Sequence, residues 1–576
     1  MISSPPSCPH RPWTAAALGL AFVLLGVTLG ACGEAPPEIV PDDAVDLLSP
    51  TERLTRASMA LRGVRPAPEE LRAVAEDPTW YPSLVEFYLS TPEFGDTVRE
   101  LHAEALRLNV DSFSPYFGYN PLDELAEVPF DDLNRSLARS PLELIAYVVQ
   151  RDRPYTEIVT ADYVFANEAV AAVWGLPYDA SGGGWQPTQH VDGRAMAGIL
   201  SDNAVFQRHG TTPFNMNRGR ANAVASALLC YDFLDRQVEV DTNIDLSNEA
   251  AVLDAINNRE ACKNCHQTLD PLAAFFAVYN DGTPSQVVVR YPVENRLFNP
   301  EGFLDRRPAS PAYFGTPGQT IADLGRSIAD APRFGLCAAR RFAGHLLRVP
   351  ADSVPRAVVE RFYRTFRDEG MSAKALARAV VLSREFRVAG SDREDDAWLE
   401  GIHLARPSQL ARSLEALTGY RMEVDVDLFF PNPYFAYGTF DMMDDSVLGF
   451  EVLAGGTDSV QVTSPARTMT ATSTLVRRSL AGRAAIFVVI RDLTEPDRSA
   501  RRLLTRVEAN DTDEALVRAQ LADLYLAIYG DVLEPEDPAL DDAYALFDGL
   551  AASGDVPKAW VVTLYALFSD LRFATY

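Results

Sequence analysis

The chain has 576 residues, of which 47% are hydrophobic and 10% are aromatic, and it carries a formal net charge of −28 at pH 7. The length exceeds one ordinary hydrophobic core and the composition is typical of globular proteins, so the sequence predicts several folded domains. The excess of carboxylates would repel a phosphate backbone, which argues against nucleic acid as a partner.

The N-terminus predicts export. Arg11 precedes an apolar run from Thr14 to Gly30 that ends in small residues. This length and pattern are typical of a signal peptide, which we assign to residues 1–31. Plain cleavage and an uncleaved anchor are the alternatives to the lipidated form described next.

A cysteine follows the apolar run at the place where bacterial lipoproteins are modified. Residues 29–32 read LGAC and resemble a lipobox, in which the cysteine is acylated and becomes the new N-terminus. Cys32 is therefore the predicted lipidation site, and its lipid is the predicted membrane anchor. Gly33 favours the outer membrane by resemblance to enterobacterial sorting.

The rest of the chain predicts a mainly α fold made of several helical modules, with minor β structure and long Pro-rich loops. Three times an apolar helix stops at a Pro-containing turn, and a polar helix and a second apolar helix follow. The predicted organisation is an acidic, Pro-rich tether (32–50), an N-terminal helical domain (51–180), a central helical domain (181–285), a linker loop (286–318), a helical domain (319–390), and a C-terminal mainly helical domain with minor β (400–576).

Two short stretches of the C-terminal domain carry specific expectations. The sequence RMEVDVDLFF from Arg421 to Phe430 alternates like a strand. The run AAIFVVI from Ala484 to Ile490 is too short to span a membrane and is interpreted as a core segment.

The central domain holds a C-x-x-C-H motif formed by Cys262, Cys265 and His266. In c-type cytochromes the two cysteines form thioether bonds to the haem vinyl groups, and the adjacent histidine is the proximal iron ligand. Attachment of this kind takes place on exported proteins, which fits the predicted signal peptide. The motif therefore predicts one haem c, with His266 as the iron ligand.

Three other interpretations of the motif are open. A thioredoxin-like disulfide would follow a strand, whereas the segment 248–261 has the pattern of a capped helix. Zinc would need a fourth ligand. The two cysteines could also be structural, joined in a disulfide that stabilises the fold.

The second axial ligand of a haem is not fixed by the sequence. Small cytochromes place a methionine downstream of the motif, but the next methionine here is Met371. The remaining candidates are Met216, His345 and His209. A histidine on an apolar helix, as His345 is, is more often a core residue than a ligand.

Counting cysteines in an exported chain predicts a disulfide. Cys8 lies in the signal peptide, Cys32 is assigned to lipid, and two cysteines belong to the motif. The two that are left, Cys230 and Cys337, are the predicted pair in an oxidising compartment. Separate buried thiols are the alternative.

Several segments resemble the planctomycete-type cytochrome c-like proteins, which are large exported proteins of planctomycetes and myxobacteria built from several helical domains. The resemblance is carried by TEIVTADYVFANEAVAAVWGLP (156–177), by GILSDNAVFQRHGTTPFNMNRGRANAVASALLC (198–230) and by REACKNCHQTLDPL (259–272). Residues 340–386 and 405–419 are similar to further domains of the family, in a different order.

The residues after the motif match the family in part. Asp270 and Pro271 agree with its pattern, whereas Ala273, Ala277 and Asn280 stand where a glycine, a glutamate and an aspartate are usual. The resemblance implies a haem through the motif and brings no known substrate.

The sequence therefore favours an exported lipoprotein with a single haem c and an electron-transfer or redox role, which would need a redox partner protein. The alternative is a non-redox lipoprotein of helical modules in which the two motif cysteines form a structural disulfide. No nucleotide-binding or hydrolase motif is present in the sequence.

Overall fold

Helices make up most of the described chain, which confirms the predicted mainly α fold. The computed structural model describes residues 44–108, 128, 130–211, 215–235, 244–245, 247–279, 309–425, 428, 439–443 and 450–576. The described residues from Ala44 onwards belong to one compact unit.

The first eleven helices run from Pro50 to Ala273. They are α1 (Pro50–Arg62), α2 (Pro68–Glu76), α3 (Tyr81–Ser90), α4 (Pro92–Leu106), α5 (Phe130–Gln150), α6 (Glu157–Thr160), α7 (Glu168–Trp174), α8 (Asn203–Arg208), α9 (Arg218–Leu229), α10 (Glu249–Asn258) and α11 (Glu260–Ala273).

Twelve more helices follow among the described residues. They are α12 (Ile321–Ala329), α13 (Pro332–Leu346), α14 (Arg356–Asp368), α15 (Ala373–Val381), α16 (Arg384–Arg387), α17 (Pro407–Thr418), α18 (Phe450–Leu453), α19 (Ala471–Thr494), α20 (Glu514–Tyr529), α21 (Asp541–Ala551), α22 (Val556–Ser569) and α23 (Leu571–Ala574).

Short strands form two-stranded antiparallel sheets. The strands are β1 (Val45–Leu47), β2 (Val164–Ala166), β3 (Gln186–Thr188), β4 (Ala312–Tyr313), β5 (Thr316–Pro317), β6 (Val388–Ser391), β7 (Glu423–Asp425) and β8 (Thr439–Asp441). The pairs are β1 with β6, β2 with β3, β4 with β5 and β7 with β8. The strand predicted from the alternation after Arg421 is β7 over Glu423–Asp425, and residues 426, 427, 429 and 430 of the pattern lie outside the described residues.

The folded unit begins before the end of the predicted tether. β1 pairs with β6, with Val45 opposite Ser391. Ser49 then caps α1, because its hydroxyl accepts the backbone N–H of Glu52 at 3.3 Å while the Glu52 carboxylate accepts the N–H of Ser49 at 2.8 Å. Residues 45–50, which the sequence predicted as the end of the tether, thus form β1 and the start of α1 in the folded unit.

One buried apolar cluster contains side chains from Leu54 to Phe386, with Leu526 added from the C-terminal part. It takes residues from 51–180, from 181–285 and from 319–390, the three regions predicted as separate domains. That division of the chain stays a prediction. A shared core nonetheless means that these regions stabilise one another.

A second buried apolar cluster contains side chains of α17 and of α19 to α22. At its centre Trp560 is fully buried, with its ring centroid 4.5 Å from that of Phe547. The interpretation of 484–490 as a core segment is half right. Ala484, Ala485, Val488 and Val489 are buried in this cluster, but Ile486, Phe487 and Ile490 point to solvent.

Candidate functional site

The C-x-x-C-H motif lies in the first half of α11. This helix begins at Glu260, and α10 ends at Asn258. Asn248 caps α10, since its side chain accepts the backbone N–H groups of Ala250 and Ala251 at 3.1 and 3.2 Å. Arg259 stands between the two helices in an extended conformation. The capped helix predicted before the motif is therefore a separate, shorter helix that joins α11 at a bend.

Cys262, Cys265 and His266 lie on one face of α11, because residues three and four positions apart are neighbours on a helix. Both cysteines are free thiols of intermediate burial, and the His266 side chain is 25% exposed. Leu269 and Leu272 in the second half of the helix are buried. The second half thus anchors α11 in the core, and the first half leaves the three motif side chains partly accessible.

His266 is oriented through its Nδ1 atom. Nδ1 lies 2.9 Å from Oδ1 of Asp270, one helical turn later. Asp270 also accepts hydrogen bonds from Arg218 on α9, at 2.6 Å from Nε and 2.9 Å from Nη2. Burial acts to raise the pKa of Asp270, but the hydrogen bonds from His266 and Arg218 outweigh burial and lower it.

The partners of Asp270 decide which ring nitrogen of His266 carries a lone pair. An ionised carboxylate accepts hydrogen bonds, so Nδ1 of His266 is the donor and Nε2 of the neutral ring is the acceptor. Among the described residues, Nε2 has no hydrogen-bond partner. A carboxylate that fixes the distant nitrogen of a histidine in this way is the usual companion of a metal-binding imidazole.

The donor set fits the predicted haem c. Two free thiols three residues apart are available for two thioether bonds, and the adjacent imidazole has an open Nε2. Within the described part of the chain, no group of three or more His, Cys, Asp or Glu side chains is arranged to hold a metal ion.

The three candidates for a second axial ligand lie in different surroundings. Met216 precedes α9 by two residues and is partly exposed, and α9 supplies Arg218, the partner of Asp270. His209 donates a hydrogen bond from Nε2 to the carbonyl of Leu106 at 2.9 Å. Met216 is thus the candidate on the element that contacts the motif helix.

His345 belongs to a buried polar cluster, which we call the Arg406 cluster: Glu100 and Glu104 of α4, His345 of α13, and Arg406, Ser408 and Arg412 at the start of α17. Nη2 of Arg406 lies 3.0 Å from Nδ1 of His345, and Nη1 lies 3.2 Å from Oε1 of Glu100 and also contacts Glu104. The exposed fraction of the Arg406 side chain is 4%.

In the Arg406 cluster the arginine side chains contact the carboxylates directly. Burial acts to raise the pKa of Glu100, but Arg406 and Arg412 lower it to about 2. Burial, followed by the charge of Arg406, holds the pKa of His345 well below its ordinary value, so this ring is neutral. A cavity of 250 Å³ adjoins the cluster. Sequence reasoning missed this cluster, although the four-residue spacing of Glu100 and Glu104 marks them as helix neighbours.

Cys230 and Cys337 form a disulfide in the structure, as counting the cysteines predicted. Their Cα atoms lie 5.3 Å apart, inside the usual range. Cys230 directly follows α9 and Cys337 is in α13. The bridge therefore ties the helix that holds Asp270 through Arg218 to the core helix that carries His345.

The remaining predicted features of the N-terminus lie outside the described residues. These are the signal peptide, the lipidation site Cys32 and most of the tether. Of the helices that the structure describes, none combines the length and apolar character needed to cross a bilayer.

Comparison of the chain with protein families, with curated proteins and with solved structures finds no match. The geometry of the site is therefore interpreted from its own residues.

Proposed function

We propose that the protein is an exported lipoprotein that carries one haem c on α11 and transfers single electrons to or from a redox partner protein. The observation that carries this proposal is the combination on one helix face of two free thiols and a histidine whose Nδ1 is fixed by Asp270. A bound haem c would supply reversible one-electron chemistry at iron.

Each residue of the site has a distinct role in the proposal. Cys262 and Cys265 would hold the porphyrin covalently, and Nε2 of His266 would bind the iron. Asp270 holds the imidazole ring in one orientation and one tautomer, which limits the reorganisation that ligation requires. Arg218 keeps Asp270 ionised and in place. Met216, which precedes α9 by two residues, would be one candidate for a second iron ligand, beside His345 and His209.

The decisive experiment is mass spectrometry of denatured protein after co-expression with a cytochrome c maturation system. We expect the mass of one haem to remain attached, and to be lost in Cys262→Ala/Cys265→Ala. Lys263→Ala is the matched control, because this exposed residue lies between the cysteines and leaves the attachment atoms in place. An unmodified mass in exported, matured protein would refute the haem and favour a structural disulfide.

The proposed location has its own test. Lipidation at Cys32 should place the protein in the outer-membrane fraction, and Cys32→Ser should release it into the soluble fraction. Retention of the variant in the membrane, with a mature N-terminus other than residue 32, would contradict the lipoprotein assignment.

A further inference from the structure

One face of α19 leaves apolar side chains in solvent. Leu475, Ile486 and Ile490 are 68%, 49% and 62% exposed. Their spacings of eleven and four residues bring them to the same side of the helix, over a length of about 22 Å at 1.5 Å per residue. Soluble proteins rarely leave connected apolar surface uncovered unless it has a binding partner.

Aromatic side chains widen this apolar surface. Phe487 is 37% exposed, and its ring centroid lies 5.5 Å from that of Tyr420. Tyr565 of α22 is 36% exposed and lies beside Gly482, where an added Cβ would be 3.7 Å from the tyrosine ring. The apolar surface therefore extends over both flanks of α19.

The charges on this face are all positive. Arg478 and Arg483 are exposed, and neither has a carboxylate partner among the described residues; Arg483 lies near the Tyr420 hydroxyl. Residues 471–490 contain no Asp or Glu, in a chain that has 80 of them. By contrast, two other arginines of the same helix have partners within the protein. Arg477 donates a hydrogen bond to the Ala405 carbonyl at 2.9 Å, and Arg491 forms an ion pair with Asp492 at 2.5 Å.

We propose that this face, the α19 stripe (Leu475, Arg478, Arg483, Ile486, Phe487 and Ile490), docks on the surface of a bilayer that contains anionic phospholipid. The apolar side chains would enter the boundary between headgroups and acyl chains, and the guanidinium groups of Arg478 and Arg483 would bind lipid phosphates. Amphipathic surfaces with this composition are typical of proteins that lie on a membrane.

The overall negative charge does not prevent this contact. Charges farther than the Debye length, about 8 Å at physiological ionic strength, are largely screened. The attraction therefore depends mainly on charged side chains close to the stripe: α19 contributes Arg478 and Arg483, and Asp441 near Tyr420 opposes them.

The proposal builds on the proposed anchor at Cys32. From Cys32 to Ala44 the chain spans at most about 3.5 Å per residue, or about 40 Å in total. An anchored protein would thus meet the bilayer at a high local concentration. A surface whose affinity for lipid is weak in solution is then sufficient for docking.

The test measures vesicle binding through the α19 stripe in a chain that lacks the lipid anchor. A chain that begins at residue 33 lacks both the signal segment and the lipid but keeps the compact unit, which starts at Ala44. Its co-sedimentation is measured with vesicles of phosphatidylethanolamine and phosphatidylglycerol, and with vesicles of phosphatidylcholine alone. We expect binding to the anionic vesicles and little binding to the neutral ones.

Two sets of substitutions should reduce this binding. Ile486→Ser/Ile490→Ser should lower the partition coefficient by about tenfold or more, since both side chains are exposed and would leave the lipid. Arg478→Gln/Arg483→Gln should remove the preference for anionic vesicles. Val191→Ser, at a residue that is 72% exposed elsewhere, is the matched control and should bind as the parent does.

Three results would overturn the proposal. The first is absence of vesicle binding by the parent chain, and the second is equal binding by the parent and by Ile486→Ser/Ile490→Ser. The third is a concentration-dependent dimer that Ile486→Ser/Ile490→Ser abolishes, because the stripe would then bind a second copy. None of these depends on Cys32, so failure of the stripe and failure of the anchor are separate outcomes.

Discussion

His266 and His345 show how two helical histidines in one protein come to have different uses. His266 is partly exposed, donates from Nδ1 to a carboxylate and keeps Nε2 without a partner in the described structure. His345 is buried and contacts the guanidinium of Arg406, which disfavours its charged form. Burial beside a fixed charge therefore makes a structural histidine, whereas an oriented ring at a partly open surface is available for ligation.

The largest effect that would test this comparison is acid unfolding. In five histidines the pKa is lowered, and burial is the largest cause of the shift. These are His102 (to about 4), His209 (to about 3), His190, His345 and His403. A histidine with a lower pKa in the folded state binds protons more readily when unfolded. Its stabilising contribution is complete above pH 6.5 and falls as the pH drops towards the folded pKa.

Stability should therefore decrease steeply below pH 6.5, by about 1.4 kcal/mol per pH unit for each histidine. Urea unfolding at pH 7.5 and at pH 5 measures this slope. His345→Gln should make this slope shallower by the equivalent of one proton. An identical urea midpoint at both pH values would show that the buried rings are not the sensitive ones.

The next largest effect is expected from Arg406→Ala. The substitution removes the buried Arg406 side chain and leaves the partly buried Glu100 and Glu104 without their main counter-charge, which should cost about 3–5 kcal/mol of unfolding free energy. The comparison is Arg478→Ala, at an exposed arginine, which should change stability by about 0.5 kcal/mol or less. Equal losses in chemical denaturation would mean that the Arg406 cluster is not structural.

A smaller loss is expected from Asp270→Asn, which keeps the shape of the side chain and removes its charge. The hydrogen bonds from Arg218 lose their ionic character, so the unfolding free energy should fall by about 1–3 kcal/mol. Nitrogen NMR of the imidazole should also show a mixture of His266 tautomers in place of one. A single unchanged tautomer would mean that Asp270 does not orient the ring.

The smallest effect is expected from Cys262→Ala/Cys265→Ala in protein made without haem maturation. Both thiols are partly exposed on the accessible half of α11, so stability should change by about 0.5 kcal/mol or less. A loss of about 2–5 kcal/mol, the size typical of a lost disulfide, would instead support the structural-disulfide interpretation.

The sequence was sufficient for features that depend on local pattern. Helical periodicity predicted the mainly α fold, and counting cysteines, on the expectation of export, predicted the Cys230–Cys337 pair. The C-x-x-C-H motif could be recognised in the sequence because covalent attachment of haem c requires this spacing. The interaction between His266 and Asp270 follows the same logic, since the two residues are four apart on one helix.

Hydrogen bonds and ion pairs between distant residues could not be predicted. Arg218 contacts Asp270 across 52 residues, and Arg406 contacts Glu100 across 306. Nothing local in either arginine specifies these contacts. The exposed side of α19 was also not predicted. Hydropathy shows that Ile486 and Ile490 are apolar, but it does not show whether another element of the fold covers them.

The junction between the two ends of the described chain has a consequence for folding speed. Arg65, which follows α1, donates hydrogen bonds to the carbonyls of Arg572, Phe573 and Thr575, up to 510 residues away, at 2.9–3.1 Å. Contacts of such high sequence separation must be closed against loop entropy before they contribute, which slows folding. A chain without residues 572–575 would leave Arg65 buried without these acceptors, so the unit can close only after those residues have been synthesised.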